Sequence, residues 1–175
     1  MKKIILTFVI VLAIFLSCKS KNTPVSENVL NLVLESKSST KTSGTATFSE
    51  KNNKVTFIAK ITGLKPGSHA IHIHEKADCT SADGSSAGGH WNPTFQKHGK
   101  WNSTEYHKGD IGNFTADENG NGTITLVTDQ WCIGCGDPNK DILGKGLIVH
   151  ANPDDFTTQP TGNAGGRIAC SGIIK

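Results

Sequence analysis

Apolar and polar residues alternate along much of this chain, which is the pattern of β-strands with one buried face. The alternation is clearest at residues 29–34 and 54–61. Further strands are predicted at residues 44–49, 68–75, 111–116, 123–128, 146–150 and 167–174. Eight short strands, separated by glycine-rich turns and with little helical periodicity, predict an all-β domain.

Two long irregular segments interrupt this pattern, at residues 76–108 and 151–166. Both are polar and rich in glycine, so they are predicted to be loops. Short strands joined by two such insertions favour a Greek-key barrel or sandwich whose loops carry the chemistry.

The N-terminus is predicted to be a signal peptide at residues 1–17. Two lysines precede residues 4–16, which are apolar apart from Thr7 and too few to span a bilayer. The following Phe-Leu-Ser-Cys resembles a lipobox, with Phe15 where leucine is usual, and this predicts a diacylated Cys18. The alternative is an ordinary secreted protein in which Cys18 has no such role.

The remaining chain divides into a polar segment, residues 18–28, predicted to be a lipidated tether, and a folded domain at residues 29–175. Two or more acyl chains are enough to hold a protein stably on a membrane. We therefore expect a cell-envelope protein, anchored to a membrane and facing the periplasm or the outer surface.

Three of the seven histidines lie on one predicted strand, at residues 68–75, and the first of them, His69, has no assigned role. His72 and His74 are two positions apart, so they share one face of the strand, while the isoleucines beside them occupy the other. His150 lies in a second alternating segment and can present a third imidazole in the same way. Several imidazoles without methionine or thiolate suit copper(II).

A second group of polar residues lies in the first irregular segment and directly after it. His98, His107 and Asp110 combine imidazoles with a carboxylate, and zinc, which has no geometric preference of its own, suits ligands gathered by a loop. The alternative is that these histidines are scattered over the surface as a nonspecific metal-binding patch.

Three sequence segments now indicate a family. They are Ser-Ala-Gly-Gly-His-Trp-Asn-Pro at residues 86–93, Gly-Asp-Ile-Gly-Asn at 109–113 and Thr-Gly-Asn-Ala-Gly-Gly-Arg-Ile-Ala-Cys at 161–170. They resemble the signature segments of copper-zinc superoxide dismutases, particularly the bacterial envelope forms. The resemblance covers residues 29–175 and implies a flattened eight-stranded Greek-key barrel, an immunoglobulin-like sandwich.

The resemblance also implies the metal ligands. Copper would be held by His72, His74, His90 and His150, and zinc by His90, His98, His107 and Asp110. His90 would then be a bridging imidazolate that passes a proton to the peroxide product. The implied activity is dismutation of superoxide to oxygen and hydrogen peroxide.

Two further residues take roles by the same resemblance. Arg167 is the single arginine among 18 basic residues, and it would dock the superoxide anion beside copper. Asp154 would link a copper ligand to a zinc ligand, His72 to His98. Many family members have a lysine where this chain has Pro160, so steering of superoxide would depend on other residues, and Lys76 and Lys97 are weak candidates.

Four cysteines follow Cys18, an even number that an exported protein can keep oxidised. The family pattern implies a disulfide between Cys79 and Cys170. Cys132 and Cys135 have no counterpart in that pattern. They are interpreted either as a local disulfide that stiffens an inserted loop or as an accessory thiol pair for acquiring copper.

A formal net charge of +3 is too small to indicate a nucleic-acid partner. The expected partners are superoxide, as substrate, and a membrane, through the lipid anchor, whereas the sequence does not decide between a monomer and a homodimer. A competing function is a lipoprotein that buffers or delivers copper and zinc without catalysis. A purely structural barrel would not need a complete ligand set.

Overall fold

A computed structural model describes residues 28–175 of the protein. This part of the chain contains eight β-strands and one short 3₁₀ helix, Ser85–Ala87. The strands are β1 (Asn28–Ser36), β2 (Ser43–Lys51), β3 (Lys54–Thr62), β4 (Gly67–His74), β5 (Gly112–Ala116), β6 (Gly122–Thr128), β7 (Lys145–His150) and β8 (Arg167–Ile173). The predicted all-β class is confirmed, and each predicted strand is present with ends that differ by at most two residues.

The strands close into a barrel in the order β1-β2-β3-β6-β5-β4-β7-β8, with every neighbouring pair antiparallel. Strands β3 and β6, like β4 and β7, are neighbours in space but not in sequence, which makes the connections a Greek key. The predicted eight-stranded Greek-key barrel is therefore confirmed. Closure leaves the sheet without a free edge, because β8 pairs with β1.

Alternate residues of the first three strands fill the barrel interior. Leu30, Leu32 and Leu34 of β1 are buried, and Phe48 of β2 lies 4.7 Å from Phe57 of β3 between ring centroids. Burial of each such side chain contributes about 1.5–3 kcal/mol. The outward residues of these strands are polar or partly exposed, so one face supports the core and the other faces solvent.

Strand β4 is different because all its residues from His69 to the end are buried. One face points into the core with Ile71 and Ile73, and the other lies beneath loops. The first loop, residues 75–111, is hydrogen-bonded along this strand: Trp91 donates to the Ile73 carbonyl at 2.9 Å and Ile73 donates to Gly109 at 2.9 Å. The loops thus cover the outer face of β4 and are fixed to it by backbone hydrogen bonds.

Two disulfides hold the loops. Cys79–Cys170 joins the first loop to β8 across 91 residues, and Cys132–Cys135 lies within the β6–β7 connection across three. In the chain-entropy model, the long closure contributes about 4–5 kcal/mol and the short one only about 2 kcal/mol.

The predicted signal peptide, the predicted lipidation of Cys18 and the predicted tether as far as residue 27 lie outside the described residues, whereas Asn28, the last residue of that predicted tether, begins β1. Between residues 28 and 175, no helix is long and apolar enough to cross a membrane.

Candidate metal centre

Four histidines converge beneath the first loop. His72 and His74 come from β4, His150 from the end of β7, and His90 from the loop segment that runs beside β4. One ring nitrogen from each lies within 4.8 Å of the others, and all four rings are buried. The structure therefore assembles the group that the resemblance implied for copper.

Hydrogen bonds fix which nitrogen each ring presents to this group. His72 donates from Nε2 to Asp154 at 2.9 Å, which turns its Nδ1 inward. His74 and His150 are held the other way, because their Nδ1 atoms contact the carbonyls of Gly88 at 3.0 Å and Gly165 at 3.2 Å. Their Nε2 atoms then face one another at 3.3 Å. Three differently anchored rings thus leave their free nitrogens in one place.

The second group surrounds the carboxylate of Asp110. The Nδ1 atoms of His90, His98 and His107 lie 2.8, 3.0 and 3.3 Å from its oxygens. Backbone N–H groups of Gly99 and His107 donate to Asp110 at 3.1 and 2.8 Å and fix the carboxylate in place. Three imidazoles and one carboxylate form the donor set of a tetrahedral zinc site.

His90 belongs to both groups. Its Nδ1 points to Asp110, and its Nε2 points toward the other three histidines, with the His72 ring centroid 4.1 Å away. A single imidazole can therefore contact a metal on each side. This shared ring distinguishes the centre from two independent metal sites.

Four buried nitrogens in the described chain have no aligned hydrogen-bond partner: His72 Nδ1, His90 Nε2, His98 Nδ1 and His107 Nδ1. Each is the atom that its group presents to the interior. A buried polar atom without a partner costs about 1–3 kcal/mol, so four of them are unfavourable unless something binds there. The residues present thus fit a copper ion and a zinc ion.

Electrostatics favour the neutral rings that bind metals. Burial, together with the neighbouring imidazoles, lowers the pKa of His74 and of His150 well below the usual value. Burial also lowers the pKa of His90 to about 4, although Asp110 partly opposes this. At neutral pH these rings are unprotonated and can act as ligands.

His98 has the opposite behaviour. Burial disfavours its charged form, but the close contacts with Asp110 and Asp154, together with the charges of these carboxylates, outweigh burial and raise the pKa of His98 to about 9. Burial likewise opposes ionisation of Asp110, yet its three histidine contacts hold its pKa far below the usual range. Before metal binds, a protonated His98 therefore sits between two carboxylates.

Asp154 connects the two groups directly. One of its oxygens accepts from His72 Nε2 and the other from His98 Nε2, both at 2.9 Å. Its backbone is held by a reciprocal pair of hydrogen bonds with Asn113, at 2.7 and 2.8 Å. Gly162 passes so close, with a φ of 64°, that a Cβ there would clash with Asp154 and His98.

Arg167 opens β8 beside His150, which is its partner in the sheet register. Its guanidinium donates to the carbonyls of Gly84 and Gly88, each at 2.7 Å. The positive charge contributes to lowering the pKa of both His74 and His150, which places it within electrostatic reach of the copper-type group. The half-buried side chain is therefore a fixed cation at the edge of that group.

Sequence reasoning gave no role to His69, which the structure places against the centre. The ring is buried, and its nitrogens lie 3.0 Å from the His150 carbonyl and 2.8 Å from the Lys65 carbonyl. His69 therefore braces the backbone of a candidate ligand. Its signal in the sequence was a polar side chain on the same face of the strand as Ile71 and Ile73.

Trp131 is a second residue that sequence reasoning missed. It is 1% exposed, and its indole N–H donates at 2.9 Å to the carbonyl of Lys108, between His107 and Asp110. Trp131 also packs on Trp101 at 5.3 Å between centroids. The β6–β7 connection thus supports the turn that carries two candidate zinc ligands.

Of the two lysines considered for steering superoxide, Lys97 lies 3.5 Å from Glu105 with both side chains largely exposed. That neighbouring negative charge weakens its long-range field. Lys76 is exposed near the end of β4.

Comparison with known proteins agrees with this geometry. Residues 42–174 match the family model described as copper/zinc superoxide dismutase. A similar solved structure is "Crystal Structure Analysis of the clock protein EA4", which is 36% identical, with 87% of this chain and 97% of that chain covered and a TM-score of 0.71. The resemblance inferred from the sequence segments is confirmed.

We expect Trp131→Phe to weaken zinc retention while leaving the barrel folded. The substitution keeps an aromatic ring but removes the N–H that holds the Lys108 carbonyl, a loss of about 1 kcal/mol. Zinc release to a chelator should become a few-fold to about 10-fold faster. Trp101→Phe is the matched control, and equal release rates in both variants would contradict a specific role for Trp131.

Zinc binding to the metal-free protein should release about one proton per zinc at pH 7.5, because His98, with a pKa of about 9, must lose a proton to coordinate. Calorimetry in two buffers of different ionisation enthalpy measures this number. Asp154→Asn removes one of the two carboxylates that raise the pKa and should reduce the release. A count near zero in the wild type would show that His98 is already neutral.

Proposed function

Since the chain belongs to the copper/zinc superoxide dismutase family, we propose that it converts superoxide to oxygen and hydrogen peroxide at a histidine-bridged copper-zinc centre. The observation that carries this proposal is the position of His90, whose two ring nitrogens face two separate ligand groups. Family membership does not by itself establish turnover, because the similar solved structure is described as a clock protein. The activity is therefore argued from the residues of this chain.

In this proposal copper is held by His72, His74, His90 and His150, and zinc by His90, His98, His107 and Asp110. Copper would supply the one-electron oxidation and reduction that superoxide needs, and zinc would supply positive charge without redox chemistry. The complete donor sets on the two sides of His90 support this assignment.

Arg167 is proposed to bind the substrate anion. A guanidinium has five N–H donors, of which the described contacts use two, on the carbonyls of Gly84 and Gly88. The remaining donors and the permanent charge can hold superoxide beside the copper group. Because both carbonyls belong to one loop, the guanidinium is aimed before the anion arrives.

His90 is proposed to handle the proton. Its Nε2 is buried without an aligned partner, whereas its Nδ1 is fixed by Asp110 at 2.8 Å. A ring held at one nitrogen can gain and lose a proton at the other without turning. His90 Nε2 would thus hold a proton and deliver it to the departing product.

The competing function is a protein that buffers or delivers copper and zinc without turnover. Binding alone needs neither an imidazole shared by two ligand groups nor an anion-binding arginine fixed by two hydrogen bonds. Both features are explained by catalysis on a small anion.

We further propose that the protein acts in a bacterial cell envelope, held on a membrane by lipid at Cys18 with the residues from there to β1 as a tether. The support is the sequence alone: a basic start, an apolar stretch and a cysteine in lipobox-like context. An enzyme in that place would protect the envelope from superoxide.

The test is a superoxide assay on the metal-free protein, reconstituted with copper and zinc and compared with Arg167→Lys and Arg167→Glu. Wild type should contain one copper and one zinc and exceed the activity of free copper. Arg167→Lys keeps the charge but loses the fork of donors, and Arg167→Glu reverses the charge, so activity should fall in that order at unchanged copper content.

Ionic strength and a neighbouring charge provide the controls. Screening acts over about 10 Å at 0.1 M salt, so salt should slow the wild type and affect Arg167→Glu less. Asp83 contributes negative charge at Arg167, and Asp83→Asn should raise the rate at low salt. Full metal loading with activity no greater than that of free copper would favour the buffer. Full activity in Arg167→Glu would remove Arg167 from the mechanism.

Lipidation predicts that Cys18→Ala shifts the protein from the membrane fraction to the soluble fraction, because no acyl chain can then be attached. The specific activity of the metal-loaded domain should stay the same, since the barrel strands and the candidate ligands all lie between residues 28 and 173. Fractionation and mass spectrometry of the N-terminus measure the two parts. Identical fractionation of wild type and variant would contradict the anchor.

A further inference from the structure

The connection between β6 and β7, residues 129–144, contains a cysteine pair that the histidine centre does not use. Cys132 and Cys135 form a disulfide, with Cys132 6% exposed and Cys135 on the surface. Their sulfur atoms and the carboxylate of Asp141 lie within 4.8 Å of one another.

The Asp141 carboxylate holds the backbone on both sides of Cys135. It accepts hydrogen bonds from Gly134 at 2.9 Å, Gly136 at 2.9 Å and Leu143 at 3.1 Å. Both glycines have a φ of 75°, a conformation that other residues rarely adopt. The turn that brings the sulfur atoms together is therefore imposed by the backbone and Asp141.

The start of the connection is held independently as well. Cys132 donates to the Lys140 carbonyl at 2.9 Å and accepts from Ile142 at 3.1 Å, while Ile133 donates to Glu50 at 3.0 Å. The side chains of Ile133 and Ile142 are buried in the main core. Together with the short loop that the disulfide closes, these contacts indicate that the segment keeps its shape when the bond is opened.

We propose that Cys132 and Cys135 form a reversible dithiol that binds a copper(I) ion when reduced. This site is separate from the histidine centre and does not depend on the proposed dismutase activity. The alternative is a disulfide that serves only to hold the connection in its conformation. This alternative is weakened because Asp141 and the buried Ile133 and Ile142 already hold that conformation.

Opening the disulfide requires a reductant, which we take to be a dithiol. Its thiolate attacks the exposed Cys135 sulfur, which breaks the bond to Cys132 and forms a mixed disulfide. The second thiol of the reductant then attacks the reductant's first sulfur in the mixed disulfide, which closes the reductant's own disulfide and releases Cys135. Two electrons and two protons pass to the cysteines, the reductant becomes a disulfide, and copper(I) later displaces the two protons.

The donor set favours copper(I) over zinc. Thiolates are soft ligands that select copper(I), and copper(I) can be bound at a low coordination number. Structural zinc sites, in contrast, take four ligands. Within residues 28–175, this group offers two sulfur atoms and one carboxylate that is already engaged by three N–H donors.

The site is also accessible. A cavity of about 600 Å³ beside it is lined by both cysteines, by Lys108 and Lys140, and by Glu50 and Asp129. A small dithiol or a copper(I) complex can therefore reach the sulfur atoms.

The first test is order of reduction. Purified wild-type protein is treated with graded dithiothreitol without oxygen, alkylated, and mapped by mass spectrometry. Cys132 and Cys135 should be labelled before Cys79 and Cys170, and circular dichroism should remain native. Labelling of Cys132 and Cys135 only after unfolding would overturn the proposal.

The second test is copper(I) binding to the reduced protein against a chromogenic copper(I) chelator, compared with Cys132→Ser/Cys135→Ser. Wild type should bind one more equivalent than the double variant, with sulfur ligation visible by X-ray absorption. Asp141→Ala should weaken this equivalent by about 10-fold or more, because the supporting carboxylate is lost. Zinc should not occupy the site at comparable concentration.

If the double variant fails to fold, wild-type protein with Cys132 and Cys135 alkylated replaces it in the comparison, because its thiols are blocked without any mutation. Equal copper(I) stoichiometry in blocked and unblocked protein, or copper without sulfur ligands, would overturn the proposal. The fully metal-loaded double variant should keep its superoxide activity. Absence of activity in both proteins would instead count against the proposed dismutase function alone.

Discussion

The structure depends most on one carboxylate that is shared by two rings. Asp154 accepts a hydrogen bond from His72 on the barrel and another from His98 in the loop. These rings belong to different ligand groups, so their relative position is set by a single rigid connector. Burial makes this connection strong, because each ring would otherwise lose a partner where water cannot replace it. Movement of the β7–β8 connection, which carries Asp154, would therefore disturb both ligand groups together.

Barrel and loops divide the work between them. The closed sheet supplies His72, His74 and His150 from strands with no free edge, and these positions have little freedom to shift. The loops supply the candidate ligands that lie outside regular structure, and these loop segments are held by the Cys79–Cys170 bond and by Trp131. Where barrel and loops meet, four buried histidine nitrogens lack an aligned hydrogen-bond partner, which destabilises the metal-free fold. Bound metal would satisfy these nitrogens and remove that penalty.

Much of the fold was predictable because strands with one buried face have a period of two. The same period placed His72 and His74 together, since any β-strand brings residues two apart to one face. The loop residues His98, His107 and Asp110 follow no such period, so the sequence grouped them only by their donor atoms, and their association with His90 came from resemblance to a family. Assignment of all these residues as ligands stays a proposal, although the geometry brings them together.

Other features of the centre could not be deduced from sequence. The choice of ring nitrogen depends on remote carbonyls, such as Gly88 for His74 and Gly165 for His150, which only the folded chain brings near. Trp131 contacts a turn 23 residues away in sequence, and its position in a buried cluster is set by tertiary packing. His69 could be recognised as unusual, but its contact with the His150 carbonyl required the pairing of distant strands.

The carbonyl of Gly88 has a consequence for how such a centre can change over time. It accepts from His74, a candidate metal ligand, and from Arg167, the candidate anion dock. The backbone at position 88 has a φ of 77°, a conformation that other residues rarely adopt, so a substitution there would disturb the carbonyl that both side chains share. The positions of His74 and Arg167 therefore depend on the same carbonyl oxygen. If the proposed roles hold, a variant selected for tighter binding of the anion at Arg167 would also change how firmly copper is retained at His74.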